Sequence, residues 1–336
     1  MKKYLYLSLV LILLCSLLSG IAFSKETLEI AVVLPSIESQ YWGQYVEIGC
    51  RNAALDIKEK YGVDVNYSVH GPAAEAETEA FLNILEAVVS KRPDGIALGN
   101  LNPDAVAPIV KAATKGGIFV NLISVGVPLL GEYFGTLYYC DQPEQGKLAA
   151  EVFYKFLKEK NLPLDGIVGV HMSVVVPILE EKIQKFRDVL SELAPDLTLL
   201  ETQYNENDIS KGMSLVETQL AAYGDKIIGF FGGNNVTGNA ISNVIAASGK
   251  ADSLVSVSID SDHLQIEALR KGNMDALVVQ TPYDQGYRAV MSIYEYLYEN
   301  KEDPDGVNMP ASVVTKSNMD EPEMKGLLDP LLFERK

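Results

Sequence analysis

Short apolar runs rich in β-branched residues alternate with amphipathic stretches of helical period along almost the whole chain, from Leu28 onward. This alternation predicts parallel sheets covered by helices on both faces. The predicted strands are Leu28–Pro35, Asp64–His70, Gly95–Gly99, Ile118–Ile123, Gly135–Cys140, Gly166–Met172, Leu197–Tyr204, Ile227–Gly232, Leu254–Asp260 and Met274–Gln280. The predicted helices are Tyr41–Tyr61, Glu75–Lys91, Asp104–Lys115, Gln145–Lys160, Pro177–Leu193, Ile209–Tyr223, Val236–Ser248 and Gln285–Glu299.

The number of predicted strands favours two sheets over one. Ten strands are too many for a single flavodoxin-like sheet of about five, and two such sheets fit the number. A closed eight-stranded barrel is the competing architecture, but it needs one continuous eight-fold repeat. Moreover, Pro128–Tyr133 has no helical period where a barrel would require a helix. We therefore predict an α/β protein with two Rossmann-like lobes, one built from residues 27–140 and 281–307, the other from residues 141–280 and 308–336.

The first residues have the pattern of a secretory signal peptide. Lys2 and Lys3 precede the apolar stretch Leu5–Ile21, and Ala22-Phe23-Ser24 supplies a small-x-small cleavage site. We predict that residues 1–24 are removed and that the mature protein is periplasmic. A retained membrane anchor is the alternative. Lipidation is disfavoured because Cys15 lies in the middle of the apolar stretch and follows a leucine.

The charge of the chain excludes several classes of partner. The net charge is -17, and removal of residues 1–24 takes away two lysines and no acidic residue, which makes it more negative still. Such a chain repels phosphate backbones and anionic lipids, so we expect no nucleic-acid partner and no membrane-surface binding. The acidity also fits a cationic ligand, although a solvated acidic surface is the simpler explanation.

Cysteines and histidines give no indication of a metal site. Cys50 and Cys140 are the two cysteines of the predicted mature chain, and an oxidising compartment would allow a disulfide between them. However, Cys50 lies in a helical pattern and Cys140 ends a predicted strand, so we interpret both as buried and unpaired. His70, His171 and His263 have no metal-ligand spacing with the cysteines. We predict no bound metal.

Catalytic motifs are also missing from the sequence. There is no G-x-S-x-G elbow, no G-x-x-x-x-G-K-[ST] phosphate loop and no H-E-x-x-H pair. Gly232-Gly233-Asn234-Asn235 precedes a predicted helix and could approach an anion. It lacks the full dinucleotide fingerprint, so we interpret it as a glycine pair that closes a strand. These observations predict a binding protein without a cofactor, not an enzyme.

The segment between the first predicted strand and the first predicted helix contains the first candidate contacts. Ligands of open parallel sheets bind beyond the carboxyl ends of the strands, and Ser39, Tyr41 and Trp42 lie at such an end. An aromatic pair there suits stacking on the C–H face of a sugar or on a planar ligand. The alternative is that Trp42 packs into the core at the start of the helix.

Three polar residues complete the predicted pocket. Asn234, Asp260 and Gln280 each follow a β-rich run, where a buried polar side chain must find a hydrogen-bond partner or a ligand. Each of them alone could be a helix cap. Because all three lie at the carboxyl ends of strands, together they predict one polar pocket.

At these residues the sequence resembles the type I periplasmic binding proteins for sugars, a group that includes the ribose-, rhamnose- and autoinducer-2-binding proteins. The resemblance covers Glu29 to about Val314. It is carried by Tyr41-Trp42, Gly49, Ala53-Ala54, Arg92-Pro93-Asp94-Gly95-Ile96, Asn102-Pro103-Asp104-Ala105, Gly117-Ile118-Phe119-Val120, Asp141, Gly146-Lys147, Gly233-Asn234-Asn235, Ser258-Ile259-Asp260 and Gln280-Thr281-Pro282-Tyr283-Asp284-Gln285-Gly286. Gly71-Pro72-Ala73-Ala74-Glu75 is similar to the rhamnose and autoinducer-2 branch.

The resemblance implies a mechanism. In such proteins the chain crosses three times between two lobes, and the ligand closes the cleft by bridging them. The implied function is capture of a sugar-like or other small polar solute and its delivery to the permease subunits of an ABC importer. A sensory binding protein that presents its ligand to a chemoreceptor or histidine kinase is the alternative, and a secreted enzyme on this fold is a third possibility. Sugar-responsive repressors share the fold, but a signal peptide stands where their helix-turn-helix would be.

Carried over by position, the stacking aromatics of the family fall on Tyr41 and Trp42. The polar contacts of its second lobe and hinge fall on Asn234, Asp260 and Gln280.

Two departures from the family pattern concern the ligand. The usual aspartate after the fourth strand is Ser124 here, and Val125 follows where ribose binders often have arginine. The arginine expected on the first helix of the second lobe falls near Glu180. Ser124 and Glu180 are therefore further candidate contacts. The missing Asp–Arg pattern argues against ribose itself and leaves room for a less hydroxylated or cationic ligand.

Overall fold

The computed structural model describes residues 27–75, 77–127 and 135–335. The predicted signal peptide and the segment 128–133 lie outside the described residues. The strands, in chain order, are β1 Thr27–Val33, β2 Asp64–His70, β3 Gly95–Gly99, β4 Phe119–Ile123, β5 Leu137–Tyr139, β6 Ile167–Met172, β7 Thr198–Leu199, β8 Gln203–Tyr204, β9 Ile227–Gly232, β10 Val255–Ile259, β11 Ala276–Val279, β12 Gly306–Asn308 and β13 Ser312–Thr315.

The helices alternate with these strands. A π-helical turn, Gln40–Val46, leads directly into the first α-helix. The α-helices are α1 Glu47–Tyr61, α2 Thr78–Lys91, α3 Pro103–Lys115, α4 Gln142–Glu159, α5 Pro177–Leu193, α6 Ile209–Tyr223, α7 Asn235–Ser248, α8 His263–Lys271, α9 Pro282–Glu299 and α10 Pro322–Leu328. Within the described residues, none of the helices has the length and apolarity needed to cross a bilayer.

The strands form two sheets with matching order. The first sheet is wholly parallel, in the order β12-β5-β4-β3-β1-β2. The second has the order β13-β11-β10-β9-β6-β7, with β8 also paired to β6, and only β13 runs antiparallel to its neighbour. Two doubly wound lobes result, which confirms the predicted fold class. Because the two orders correspond position by position, β4 of the first lobe is the counterpart of β10 in the second.

Helices on both faces explain why the central strands are apolar throughout. Every residue of β3 and of β9 is buried, as expected for parallel strands covered on two sides. The second lobe packs α4 and α5 against its sheet, with Phe153, Phe186 and Phe231 at the centre. In the first lobe α1 and α9 cover one face of the sheet.

Most predicted helices and strands match the structure closely, and two of them differ in their internal structure. The predicted helix Tyr41–Tyr61 begins as a π-helical turn, and the predicted strand Leu197–Tyr204 is two short strands. Four elements, α8, α10, β12 and β13, were not predicted from the sequence because each is short.

The end of the chain contacts the first lobe, although the sequence analysis placed it in the second. The amide nitrogen Nδ2 of Asn52 on α1 donates to the carbonyl of Phe333 at 2.7 Å. Arg335 forms ion pairs with Asp56 at 2.5 Å and with Glu59 at 2.6 Å. The chain therefore passes between the sheets after β5, after β11 and after β12, and its last residues return to α1.

Candidate functional site

A partly enclosed cavity of about 80 Å³ lies between the two sheets, at the carboxyl ends of their strands. One water occupies roughly 10–15 Å³ of such space, so the cavity suits a small ligand. Six of the eight predicted contacts line it, namely Tyr41, Trp42, Ser124, Asn234, Asp260 and Gln280. Ser39 and Glu180 do not.

A chain of hydrogen bonds joins the first lobe to the second across this cavity. The Tyr41 hydroxyl donates to Oε1 of Gln280 at 3.5 Å, and Nε2 of Gln280 donates to Oδ1 of Asp260 at 2.6 Å. Burial raises the pKa of Tyr41, and the negative charge of Asp260 raises it further, against a hydrogen bond with Ser124. Tyr41 therefore remains a neutral hydroxyl that can donate.

Lys182 brings a buried positive charge to the cavity. It is 2% exposed, and its Nζ donates only a long bond of 3.4 Å, to the carbonyl of Gly233. Burial lowers its pKa, while nearby Asp260 raises it. Conversely, burial raises the pKa of Asp260. The positive charge of Lys182 and the hydrogen bond from Gln280 lower that pKa. Lys182 and Asp260 thus bring opposite charges to one cavity, where the amine can donate and the carboxylate can accept further hydrogen bonds.

The sequence analysis selected Glu180 at this helix and missed Lys182. Two residues correspond to about 200° of rotation along an α-helix, so the two side chains leave α5 on opposite faces. Glu180 accepts a hydrogen bond from the Tyr204 hydroxyl at 3.0 Å and does not reach the cavity. The apolar period of α5, with Phe186 and Leu190 both fully buried, is the signal that could have placed Lys182 on the inner face.

Ser124 and Asp260 share an uncommon backbone conformation. Their φ angles are 68° and 69°, in the left-handed region that residues with a Cβ seldom adopt. Each follows the last residue of its strand, β4 or β10, so the kink turns its side chain toward the cavity.

Trp42 belongs to the core as well as to the cavity wall. It is 4% exposed and packs against Val46 and Ala97 in the first lobe. Its ring meets that of Tyr41 edge-on, with centroids 5.0 Å apart and planes at 77°. Gly99 at the end of β3 makes room for the indole, because a Cβ there would lie 2.6 Å from Cζ3 of Trp42.

Asn234 acts as a helix cap, one of the alternatives that the sequence left open. Its Oδ1 accepts from the backbone N–H of Thr237 at 3.1 Å at the start of α7. Its Nδ2 donates to Oγ of Ser173 at 2.8 Å. Asp260 and Gln280, by contrast, cap no helix, because Asp262 and Thr281 hold those positions.

Ser39 caps the π-helical turn that contains Tyr41 and Trp42 and does not line the cavity. Its Oγ accepts from the backbone N–H of Trp42 at 3.4 Å and so caps the π-helical turn. Glu75, in the loop after β2, also lines the cavity and was not predicted as a contact. Burial raises the pKa of Glu75, and the nearby side chains of Ser39 and Asn207 oppose that shift.

Cys50 and Cys140 are both buried and free, which confirms their interpretation as unpaired residues. Burial raises the pKa of the Cys140 thiol to about 12. Within the described residues, no group of three or more His, Cys, Asp or Glu side chains could hold a metal ion. His171 is buried against Gln219, with Nε2 and Oε1 2.9 Å apart, and burial lowers its pKa to about 4.

A larger groove lies elsewhere in the described part of the chain. It measures about 800 Å³ and lies between α9 and α10, lined by Tyr283, Tyr287 and Phe333 among others. It lacks the buried charges of the smaller cavity and lies where the chain passes between the lobes. We therefore assign the candidate site to the smaller cavity, which lies at the strand ends that bind ligands in this class of fold.

Comparisons with known proteins agree on one family. The family described as "Periplasmic binding protein domain" matches residues 30–302. A D-apiose import binding protein from Actinobacillus succinogenes is 22% identical over 268 residues, which cover 80% of this chain and 81% of that protein.

Two solved structures have the same fold. One is a carbohydrate transporter solute-binding protein from Agrobacterium radiobacter in complex with D-arabinose, with TM-score 0.81, 24% identity and coverage of 91% of this chain and 100% of that one. The other is an ABC transporter solute-binding protein from Agrobacterium vitis with bound D-fucose, with TM-score 0.78, 26% identity and coverage of 90% and 100%.

Proposed function

The chain belongs to the periplasmic binding protein family, and we propose that it captures a small sugar between its lobes and delivers it to an ABC importer. The observation that carries the proposal is that buried Lys182 and partly buried Asp260, which have opposite charges, line one cavity. A sugar hydroxyl both donates and accepts, so neighbouring hydroxyls can satisfy an amine and a carboxylate together. The relatives named for D-apiose import, D-arabinose and D-fucose support the same solute class.

The remaining contacts suit a ring with polar edges and apolar faces. Tyr41 and Trp42 present aromatic surface to the cavity, and Gln280 presents an amide. Aromatic surface packs on the C–H face of a sugar while the polar groups bind its hydroxyls. A wrong ligand would leave the buried charges unpaired, which costs about 1–3 kcal/mol per group.

Capture proceeds by closure of the lobes. In the structure Oε1 of Gln40 in the first lobe lies 3.1 Å from Nδ1 of His263 in the second, and the Tyr41 hydroxyl lies 3.5 Å from Oε1 of Gln280 across the same cleft. These contacts stabilise the closed form weakly on their own. A ligand that touches both lobes shifts the equilibrium toward closure by its differential affinity for that form.

The importer's permease subunits are the partners that we propose, and we expect binding without turnover of the solute. The protein acts outside the cytoplasmic membrane, as its family description implies. We propose cleavage of the signal peptide near Ser24, which N-terminal sequencing of exported protein tests. A mature chain that begins at a lipidated Cys15 would contradict this proposal.

Native mass spectrometry of protein purified without denaturation tests the solute class. We expect a bound mass of a pentose or hexose, and calorimetry with D-apiose, D-arabinose, D-tagatose and D-fucose should identify a sugar that binds with micromolar affinity or better. Putrescine serves as the cationic comparison and L-leucine as the zwitterionic one. Binding of either comparison with no binding of any sugar would refute the proposed solute class.

A further inference from the structure

The polarity of the binding cleft changes from its inner to its outer end. The small cavity is lined by many polar and charged side chains, which include Glu75, Lys182 and Asp260, and by apolar ones, which include Leu101 and Leu179. A small sugar satisfies the polar groups of the small cavity but leaves apolar surface beside it uncovered. A ligand with one polar part and one apolar part covers both.

A second cavity of about 490 Å³ continues the cleft outward, and Leu101 lines both cavities. Its apolar lining comes from both lobes. Leu101, Pro103 and Ala105 of the first lobe precede or begin α3, and Val175, Val176 and Pro177 of the second precede or begin α5. We call these six residues the outer chamber.

The outer chamber is preformed and exposed. Pro103 and Pro177 each occupy the first turn of a helix, where the fixed φ of proline holds the incoming loop. Val175 is 69% exposed, more than any other large apolar side chain among the described residues. Exposed apolar surface of this kind marks binding sites, because a ligand that covers it removes it from water.

The charge around the chamber restricts what can occupy it. Its lining includes two carboxylates, those of Asp104 and Glu181, and none of the described residues that line it is cationic. An anionic group placed there would meet like charge without a counter-ion. The occupant is therefore uncharged or cationic at its outer edge.

We propose that the outer chamber is a subsite for an apolar aglycone, so that the natural ligand is a glycoside with an uncharged alkyl or aryl substituent. The inference rests on the proposed function, because the sugar part must occupy the inner cavity. The inner cavity of about 80 Å³ has room for one small ring, while the chamber beyond Leu101 has several times that space.

Calorimetry with matched glycosides tests the subsite. The probes are D-arabinose and D-fucose, and the methyl, phenyl and 4-carboxyphenyl glycosides of each. For the sugar that binds, we expect the phenyl glycoside to bind at least tenfold more tightly than the methyl glycoside, since apolar groups in a pocket contribute on that scale. The 4-carboxyphenyl glycoside should lose this gain to Asp104 and Glu181.

A variant pair separates the chamber from general effects. Val175→Ser should reduce the advantage of the phenyl over the methyl glycoside at least threefold. Leu164→Ser is the control, because Leu164 is 39% exposed and lies in the loop before β6, at the opposite end of that strand from Val175. It should leave the ratio unchanged.

Two results would overturn the inference, and they differ from one another. If the free sugar binds but its phenyl glycoside binds more weakly than its methyl glycoside, the chamber closes over the sugar and is no subsite, while the proposed function stands. If no probe, free or substituted, binds, both the sugar proposal and the subsite fail.

Discussion

The close approach of Gly99 to Trp42 gives a prediction that connects the core of the first lobe with ligand binding. Gly99 ends β3, and its φ lies outside the positive range, so alanine is compatible with the backbone there. The added Cβ would lie 2.6 Å from Cζ3 and 3.0 Å from Cε3 of Trp42. Both atoms belong to a rigid ring, so the indole must move, and the cavity is the open space beside it.

The magnitudes follow from the burial of Trp42. Overpacking of a close-packed core costs about 1–3 kcal/mol, so Gly99→Ala should lower the free energy of unfolding by that amount. Displacement of the indole into a cavity of about 80 Å³ should also weaken ligand binding at least tenfold. Trp42→Ala should cost about 3–5 kcal/mol of stability, because the side chain is 4% exposed.

A double-mutant cycle measured by urea denaturation and calorimetry isolates the contact. When Trp42 is already alanine, the Cβ at position 99 no longer meets the indole and its nearest contact is Cδ of Pro35 at 3.2 Å, so Gly99→Ala should cost clearly less in that background than in the wild type. Gly306→Ala is the control on the same sheet, since its Cβ would lie 3.4 Å from Tyr139, an ordinary contact. Additive effects of the two substitutions would refute the reasoning.

Three further predictions concern charged groups. Asp260→Asn keeps the shape of the side chain and removes its charge, so calorimetry should show ligand affinity lowered by about 1–3 kcal/mol with the fold retained, and unchanged affinity would contradict a ligand contact. Lys182→Met should lower affinity by about 1–3 kcal/mol and should also lower the melting temperature, because it leaves the Asp260 carboxylate without the opposite charge that faces it. Burial would raise the pKa of Asp56, but hydrogen bonds, including that from Arg335, lower it from 3.8 to about 2. The stabilisation by ionised Asp56 is therefore complete above about pH 4 and is lost as the pH falls through 2. Thermal denaturation should show that Arg335→Ala costs on the order of 1 kcal/mol of stability at pH 7 and less at pH 2.5. An equal loss at both pH values would contradict the link between the Asp56 charge and stability.

The sequence predicted the fold well because parallel α/β layers have strong periodic signals. Strands such as β2, β3 and β9 were placed to the residue, since each is bounded by turn residues and followed by a long amphipathic helix. The return of the last residues to the first lobe was not predictable. Residues at the end of the chain return to α1 through side-chain pairs such as Arg335 with Asp56, which follow no local pattern.

The candidate site was predictable only where it follows strands. Asn234, Asp260 and Gln280 could be found from their position after apolar runs, because parallel strands present their carboxyl ends to one cleft. Lys182 and Glu75 were missed, since one lies on a helix face that depends on packing and the other in a loop after β2. A charged residue on an amphipathic helix is solvated in most proteins, and only its burial reveals that it faces the cavity.

Ser124 and Asp260 share a left-handed backbone conformation that the sequence does not reveal. The two residues follow β4 and β10, which occupy the same position in the two sheets, and their φ angles differ by only 1°. A non-glycine residue in the left-handed region carries a conformational cost of about 1–3 kcal/mol, which surrounding structure must offset. Glycine would remove that cost at either position but would also remove the side chain that reaches the cavity. Both lobes therefore have a strained residue with a polar side chain at equivalent strand ends, and this repeated kink turns both side chains toward the same cavity.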